Sequence, residues 1–206
     1  MPQGSEAWLL KRAGVPTASE WDAVISPKWK ARTGEGRQTY LLSKVAEKLM
    51  GYPEQTWGGG AMEQGSILEG EARPWFEFTT GITVDRVGFC TTDDGRLGCS
   101  PDGLIGEDGG LEIKCPSPHK HLAYLVAGVV PDDYLAQVHG SMLVTGRAWW
   151  QFISYNRNFP ALVLTVKRDE AIQAAMRAAL DAFLADFDAA RAKVNALIEA
   201  NEGGGR

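Results

Sequence analysis

One stretch limits the possible folds more than any other: RLGCSPDGLIGEDGGLEIKC, residues 96–115. Two β-rich runs, RLGCSPDGLI and LEIKC, flank the turn GEDGG, and a turn so rich in glycine sends the chain back antiparallel to itself. Upstream, ITVDRVGFCTT alternates in the same way and reaches this pair through the turn DDG, which predicts a three-stranded antiparallel meander. Side chains on a strand alternate between faces, so Glu112 and Lys114 share one face and Ile113 takes the other. The hairpin brings Asp102, just after Pro101, beside Glu112. Neighbouring carboxylates repel, and each raises the other's pKa unless a cation separates them. Hard oxygen ligands with room for water suit Mg2+ or Mn2+. Lys114 next to them can hold or activate a water, or offset charge on a phosphate. A bare E-x-K is common as ordinary surface charge on hairpins; P-D followed by E-x-K within a strand–turn–strand is far more specific.

Helical periodicity dominates on either side. PTASEWDAVI starts a helix with Thr17 as cap and Glu20 completing a capping box. RQTYLLSKVAEKLMGY carries apolar residues at helical spacing and stops at Gly51, and PEQTWGGGA is a loop. MEQGSILEGEARPWFEFTTG is helical through Met62, Leu68, Ala72 and Trp75, with a kink expected at Pro74. After the meander, HKHLAYLVAG and DDYLAQVHGSMLVTG are helical, while AWWQFISYN and ALVLTVKR are apolar enough for buried strands. DEAIQAAMRAALDAFLADFDAARAKVNALIEAN is one long amphipathic helix. The pattern is α/β: a single domain over residues 1–201, a mixed sheet flanked by helices, with residues 202–206 a disordered tail.

With 206 residues the chain suffices for one sizeable core. Its 44% hydrophobic and 23% charged content is that of a soluble globular protein, and no apolar run is long enough for a membrane span. The start, MPQGSEAWLLKRAG, lacks the apolar core of a signal peptide, so a cytoplasmic location is the default. Cys90, Cys99 and Cys115 are odd in number and form no C-x-x-C. That disfavours a disulfide framework, a zinc site and a cysteine-ligated iron–sulfur cluster, and leaves them as small buried residues of adjacent strands. The net charge of −5 does not exclude nucleic acid, because binding depends on local charge. Lys11, Arg12, Lys28, Lys30, Arg32 and Arg37 cluster early, while acidic residues crowd the C-terminal third.

P-D…(D/E)-x-K is the pattern of the restriction-endonuclease-like nuclease superfamily. RAGVPTASE, EGEARPWFEFTTGITV, CSPDGL, LEIKCPSP, YLAQVHGSMLVTGR and WWQFISY follow the order of the phage lambda-type exonucleases. The chain therefore closely resembles these viral recombinase nucleases of the YqaJ type over most of its length. The resemblance implies a restriction-endonuclease-like fold and a Mg2+-dependent exonuclease, with Mn2+ also supporting activity. Such an enzyme digests one strand of double-stranded DNA from its 5′ end, releases 5′ mononucleotides and leaves 3′ single-stranded overhangs. The overhangs pass to a single-strand annealing protein of the Bet/RecT kind, in homologous recombination within a bacterial host. A ring-shaped homotrimer threaded by DNA is implied as well. The alternative is a structure-specific or site-specific endonuclease on the same fold, since fold and specificity are separate questions. A RecB-like or Cas4-like nuclease is disfavoured by the missing cysteine set, and a vestigial end-binding module by the presence of every acidic residue.

Carried onto this sequence, the resemblance makes Asp102 and Glu112 metal ligands, adds the Ile113 carbonyl, and has Lys114 position the attacking water. Glu69, in ILEGEAR, matches a helical acidic residue that supports the metal shell, and Gln137 matches a glutamine at the same site. Arg12, Ser19, Ser100 and Lys120 match a 5′-phosphate pocket. Lys120 stands where an arginine is usual, which keeps the charge but loses the planar fork, and His119 and His121 flank it as substitutes. Met62, two helical turns before Glu69, matches an apolar wedge that splits terminal base pairs; the plainer reading is a core methionine. Lys28, with Lys30 and Arg32, either tracks duplex phosphates or belongs to a solvated loop.

Overall fold

The helices start and stop where local chemistry permits. The structure, a computed structural model, describes residues 2–54 and 60–203, with side chains from residue 68 to 201 in the second segment. Helix α1 (Glu6–Arg12) is capped by Ser5, whose hydroxyl accepts the Trp8 N–H. Ala18–Ala23 forms a 3-10 helix rather than the expected α-helix. The capping box does not close there, because the Thr17 hydroxyl donates to Glu20 Oε2 at 3.0 Å. Helix α2 (Glu35–Met50) ends at Gly51, which takes the left-handed φ of 77° that the stop requires. Helix α3 (Gly60–Thr80) continues through Pro74.

The predicted meander divides in two. Strands β1 (Cys90–Thr91) and β2 (Gly98–Cys99) form their own antiparallel pair, and Asp85 contributes only an isolated bridge to Leu104. The run RLGCSPDGLI breaks after Cys99, because the Asp102 side chain takes the Ile113 N–H at 2.6 Å in place of a ladder partner. Beyond the break, β3 (Gly103–Ile105) and β4 (Gly109–Lys114) form the expected hairpin, Gly103 opposite Leu111. Asp102, just before β3, donates its N–H to the Leu111 carbonyl at 3.1 Å and so stays at the end of the hairpin beside the Leu111–Ile113 stretch of β4. Cys99 is buried as expected, whereas Cys90 and Cys115 are half-buried, the latter just past the end of β4.

Helices α4 (Pro118–Ala127) and α5 (Asp132–Thr145) form the crossover from β4 to β5 (Trp149–Ser154), which pairs parallel to it. Strand β6 (Leu162–Lys167) pairs antiparallel with β5, completing the order β3-β4-β5-β6. The buried strand expected from ALVLTVKR is instead an edge, half-buried and exposed residues alternating along it. Helix α6 (Glu170–Gly203) includes the first two residues of the expected tail; residues 204–206 lie outside the described residues.

Alternation sorts the core. Leu111, Ile113 and Ile153 pack with Phe76 of α3 on one face. Trp150 and Phe152 pack with Val138 and Met142 of α5 on the other. Glu112 is the register partner of Phe152, so it and Lys114 point to the α5 face. A third cluster joins the 3-10 helix, α2 and α6 through Trp21, Leu41 and Phe183.

Candidate active site

Glu112 is almost fully buried in mid-strand. Its Oε1 accepts a hydrogen bond from Gln137 Nε2 of α5 at 2.6 Å and forms an ion pair with Lys114 Nζ at 2.7 Å. Its Oε2 is buried with no hydrogen-bond partner among the described residues. The Lys114 ammonium also lies 5.0 Å from the centre of the Tyr134 ring. Glu112, Lys114 and Gln137 are therefore in contact, and Asp102, bonded to the Ile113 N–H, is near enough for the Glu112 and Lys114 charges to act on it. Glu69 approaches from α3, close enough for its charge to act on Asp102.

The electrostatics are those of a crowded acidic site. Burial pushes the Asp102 carboxyl well above its ordinary range, and the neighbouring Glu112 charge pushes it further. Burial also raises Glu112, although Lys114 and Gln137 pull it back. Burial opposes the charge on Lys114, but Glu112 and Asp102 outweigh it and raise the lysine. Glu69 is raised by burial. Each carboxylate would ionise more readily with a cation present.

No three His, Cys, Asp or Glu side chains gather as a metal-binding cluster among the described residues. The acidic pair still suits Mg2+, an ion usually held by one or two carboxylates that keeps several of its waters. The orphaned Glu112 Oε2 supports the fit, since a buried anionic oxygen without a partner is expensive.

A second cluster forms around Arg12, at the end of α1. Its guanidinium stacks 4.3 Å from the Trp8 ring centre and 5.9 Å from that of Phe89. Arg12 Nη1 donates to Ser100 Oγ at 3.1 Å, and Nη2 to Thr17 Oγ1 at 3.4 Å. Thr17 Oγ1 lies 3.4 Å from Ser19 Oγ. Ser100 accepts from Trp8 Nε1 as well, at 3.1 Å, which leaves its own O–H proton to donate. Arg12, Ser19 and Ser100 thus converge, with Ser100 only two residues from Asp102.

Lys120 does not join them by any hydrogen bond or ion pair among the described residues; it is exposed on the first turn of α4. His121 is no substitute. It is fully buried, with Nδ1 2.7 Å from Ser154 Oγ and Nε2 3.0 Å from the Pro160 carbonyl. His119 lies 3.3 Å from the Ser117 hydroxyl. Lys28 and Lys30 are exposed on a tight turn closed by the Ile25–Ala31 bridge. Between them Trp29 adopts a left-handed φ of 58°, held by edge-on contact with His139 at 5.3 Å. The side chain of Met62 lies outside the described residues.

The sequence reading missed what holds the Arg12 loop. Glu47 Oε2 accepts the Gly14 N–H at 2.9 Å, and buried Lys44 bridges Glu47 at 3.1 Å and Glu20 at 3.3 Å. The Tyr40 hydroxyl accepts the Thr17 N–H at 3.1 Å. Gly14 has φ 68° and sits against α2, where an added Cβ would lie 2.6–2.8 Å from Lys48 atoms. The signal was present. Lys44 falls on the same helical stripe as Tyr40, Leu41 and Val45, where an unpaired charge would be out of place.

The mixed sheet with its covering helices, and the acidic pair at the end of the β3–β4 hairpin, define the restriction-endonuclease-like fold class. Two crystal structures of LHK-Exo, an alkaline exonuclease from Laribacter hongkongensis, superpose on the chain with TM-scores of 0.87 and 0.85. The first is in complex with dAMP; both are 30% identical to this chain, covering 95% of it and 99% of their own length. A phage related exonuclease from Haemophilus somnus 129PT shares the fold at a TM-score of 0.67 and 13% identity, over 87% of this chain and 96% of that one. No curated protein matches significantly. Residues 7–148 match the YqaJ-like viral recombinase domain, and the chain belongs to that family. Among the described residues no helix is long and apolar enough to cross a membrane.

Proposed function

We propose that this protein is a Mg2+-dependent exonuclease that degrades one strand of duplex DNA from the 5′ end, Mn2+ serving in place of Mg2+. The observation that carries this reading is the Asp102 carboxylate, held at the open end of the hairpin by the Ile113 N–H, near a buried Glu112 that ion-pairs with Lys114 and keeps one oxygen without a partner among the described residues. Asp102, Glu112 and the Ile113 carbonyl would hold the cation, with Glu69 and Gln137 supporting its shell. The ion supplies stabilisation of the negative charge that builds on attacking and leaving oxygens at phosphorus. Lys114 orients the attacking water and offsets phosphate charge through its ammonium. Gln137 and Lys114 together fix the Glu112 carboxylate, so the oxygens do not reorganise during reaction.

Arg12, Ser19 and Ser100 receive the 5′ phosphate, the arginine through its planar fork and Ser100 through the proton it has free. Lys28 tracks duplex phosphates, and Lys120, exposed at the start of α4, would add its charge to the pocket without the planar fork of an arginine. Digestion leaves 3′ overhangs, substrates for a single-strand annealing protein of the Bet/RecT kind in the host cytoplasm. A ring-shaped homotrimer would make the digestion processive.

Linear duplex labelled at either end, with Mg2+ or with EDTA, tests the reaction. Steady metal-dependent release of mononucleotides from the 5′ label, with closed circles left intact, is expected; cutting of circles would establish an endonuclease instead. Arg12→Ala is expected to erase the preference for 5′-phosphorylated over 5′-hydroxyl ends. A hydrogen bond to a charged group contributes about 1.5–3 kcal/mol, so the KM ratio between the two ends should fall by about tenfold or more. Arg12→Lys should recover only part of it. An unchanged ratio would remove Arg12 from the pocket.

A further inference from the structure

Asp102 and Glu69 line a cavity of about 600 Å³ that also holds two arginines with no role so far, Arg73 and Arg86. Arg73 follows Glu69 by one helical turn on α3, a spacing at which Glu and Arg normally pair. Among the described residues it closes no ion pair, with Glu69 or any other acid, and its Nε is buried without a hydrogen-bond partner. Arg86 reaches the cavity from the segment after α3, is exposed, and likewise forms no ion pair among the described residues. The wall beside Asp102 therefore carries two guanidinium groups that close no ion pair among the described residues.

The plain explanation is that Arg73 exists to relieve repulsion among the acids. It does act on Glu69, yet burial still leaves that carboxyl above its ordinary range. An arginine selected for neutralisation would close the available i, i+4 pair. Both guanidinium groups line the cavity, where a planar fork matches phosphate oxygens in geometry as well as charge.

We infer that Arg73 and Arg86 form a phosphate subsite beside the acidic pair. Its ligand is a nucleic-acid phosphate: either a backbone phosphodiester of the bound DNA or the 5′ phosphate of the released mononucleotide. The inference rests on the nuclease reading above, but its test reads binding rather than turnover.

Duplex binding by the full chain is measured by fluorescence anisotropy with Ca2+ replacing Mg2+, and dAMP and deoxyadenosine binding by calorimetry. Arg86→Gln is at the surface and should fold normally; Arg73→Lys keeps the charge and removes the fork. If the subsite holds backbone, both variants weaken duplex binding by about tenfold, and Arg86→Gln lowers the salt slope by about one. If it holds product, dAMP affinity falls by about tenfold and deoxyadenosine affinity does not move. Arg191→Gln, a charge removed from α6, should change neither. Wild-type affinity of both variants for duplex and for dAMP would overturn the subsite. A chain that binds these ligands normally but never cleaves DNA would instead overturn the nuclease reading.

Discussion

Asp102→Ala and Glu112→Ala are each expected to lower duplex digestion by about 10³-fold or more, while Asp102→Asn makes the metal-free protein more stable. Charge stabilisation by a bound cation is worth several kcal/mol at the transition state, and about 4 kcal/mol corresponds to about 10³ in rate. Neither acid can be replaced by its neighbour, because Glu112 is fixed by Gln137 and Lys114 and Asp102 by the Ile113 N–H. The same arrangement opposes folding when no cation is present. Burial and mutual repulsion raise both carboxyls above their ordinary values. The folded chain then binds more protons than the unfolded one, and metal-free stability falls as pH climbs from the ordinary carboxylate range through the raised values. Asp102→Asn keeps an acceptor for Ile113 and removes the charge. Its melting temperature should exceed wild type at neutral pH in EDTA, by about 2–4 °C for each kcal/mol relieved, and the gap should close at acidic pH. Lys114→Ala should abolish turnover while both carboxylates stay available to metal. A metal-free Asp102→Asn protein no more stable than wild type at neutral pH would contradict the stored repulsion, and near-normal digestion by either alanine variant would move the metal site elsewhere.

The acidic pair was legible because its causes are local. A glycine-rich turn sets a hairpin, the hairpin sets a register, and a period of two decides which side chains share a face. Nothing in that chain of reasoning needs a distant residue. The break after Cys99 was hidden for the opposite reason. Whether RLGCSPDGLI continues as one strand depends on the Asp102 side chain capturing the N–H of Ile113, a contact made only once the hairpin is closed. Similarly, ALVLTVKR is apolar whether it lies mid-sheet or at an edge, so composition could not rank β6 as the last strand. The meeting of Arg12 with Ser100, 88 positions apart, and of Gln137 with Glu112, 25 apart, came from resemblance and not from spacing. His121 shows the limit of that route. It stands beside the matched Lys120, yet packing had already committed both of its nitrogens.

Glu47→Ala should be among the most destabilising single changes in this chain, and its effect should reach the 5′-phosphate pocket. Lys44 and Glu47 side chains are only 8% and 7% exposed and are bonded to each other. Removing Glu47 leaves the buried Lys44 only the more exposed Glu20, 3.3 Å away, as a partner, which puts the cost at the low end for a broken buried pair, about 3 kcal/mol. With about 2–4 °C lost per kcal/mol in a chain of this size, the melting temperature should drop by about 10 °C. Gly14 also loses the acceptor for its N–H, and that loop connects α1, which ends in Arg12, to Thr17 and Ser19. Below the melting transition, Glu47→Ala should therefore discriminate less between 5′-phosphate and 5′-hydroxyl ends, seen in KM more than in kcat. Lys44→Met combined with Glu47→Leu separates the two effects. Replacing the whole pair with apolar side chains is often neutral or stabilising, so much of the melting temperature should return. The Gly14 N–H still lacks its acceptor, so end discrimination should stay impaired. Recovery of both together would reduce the pair to a matter of stability alone, and a Glu47→Ala protein that melts like wild type would mean that the buried pair contributes nothing.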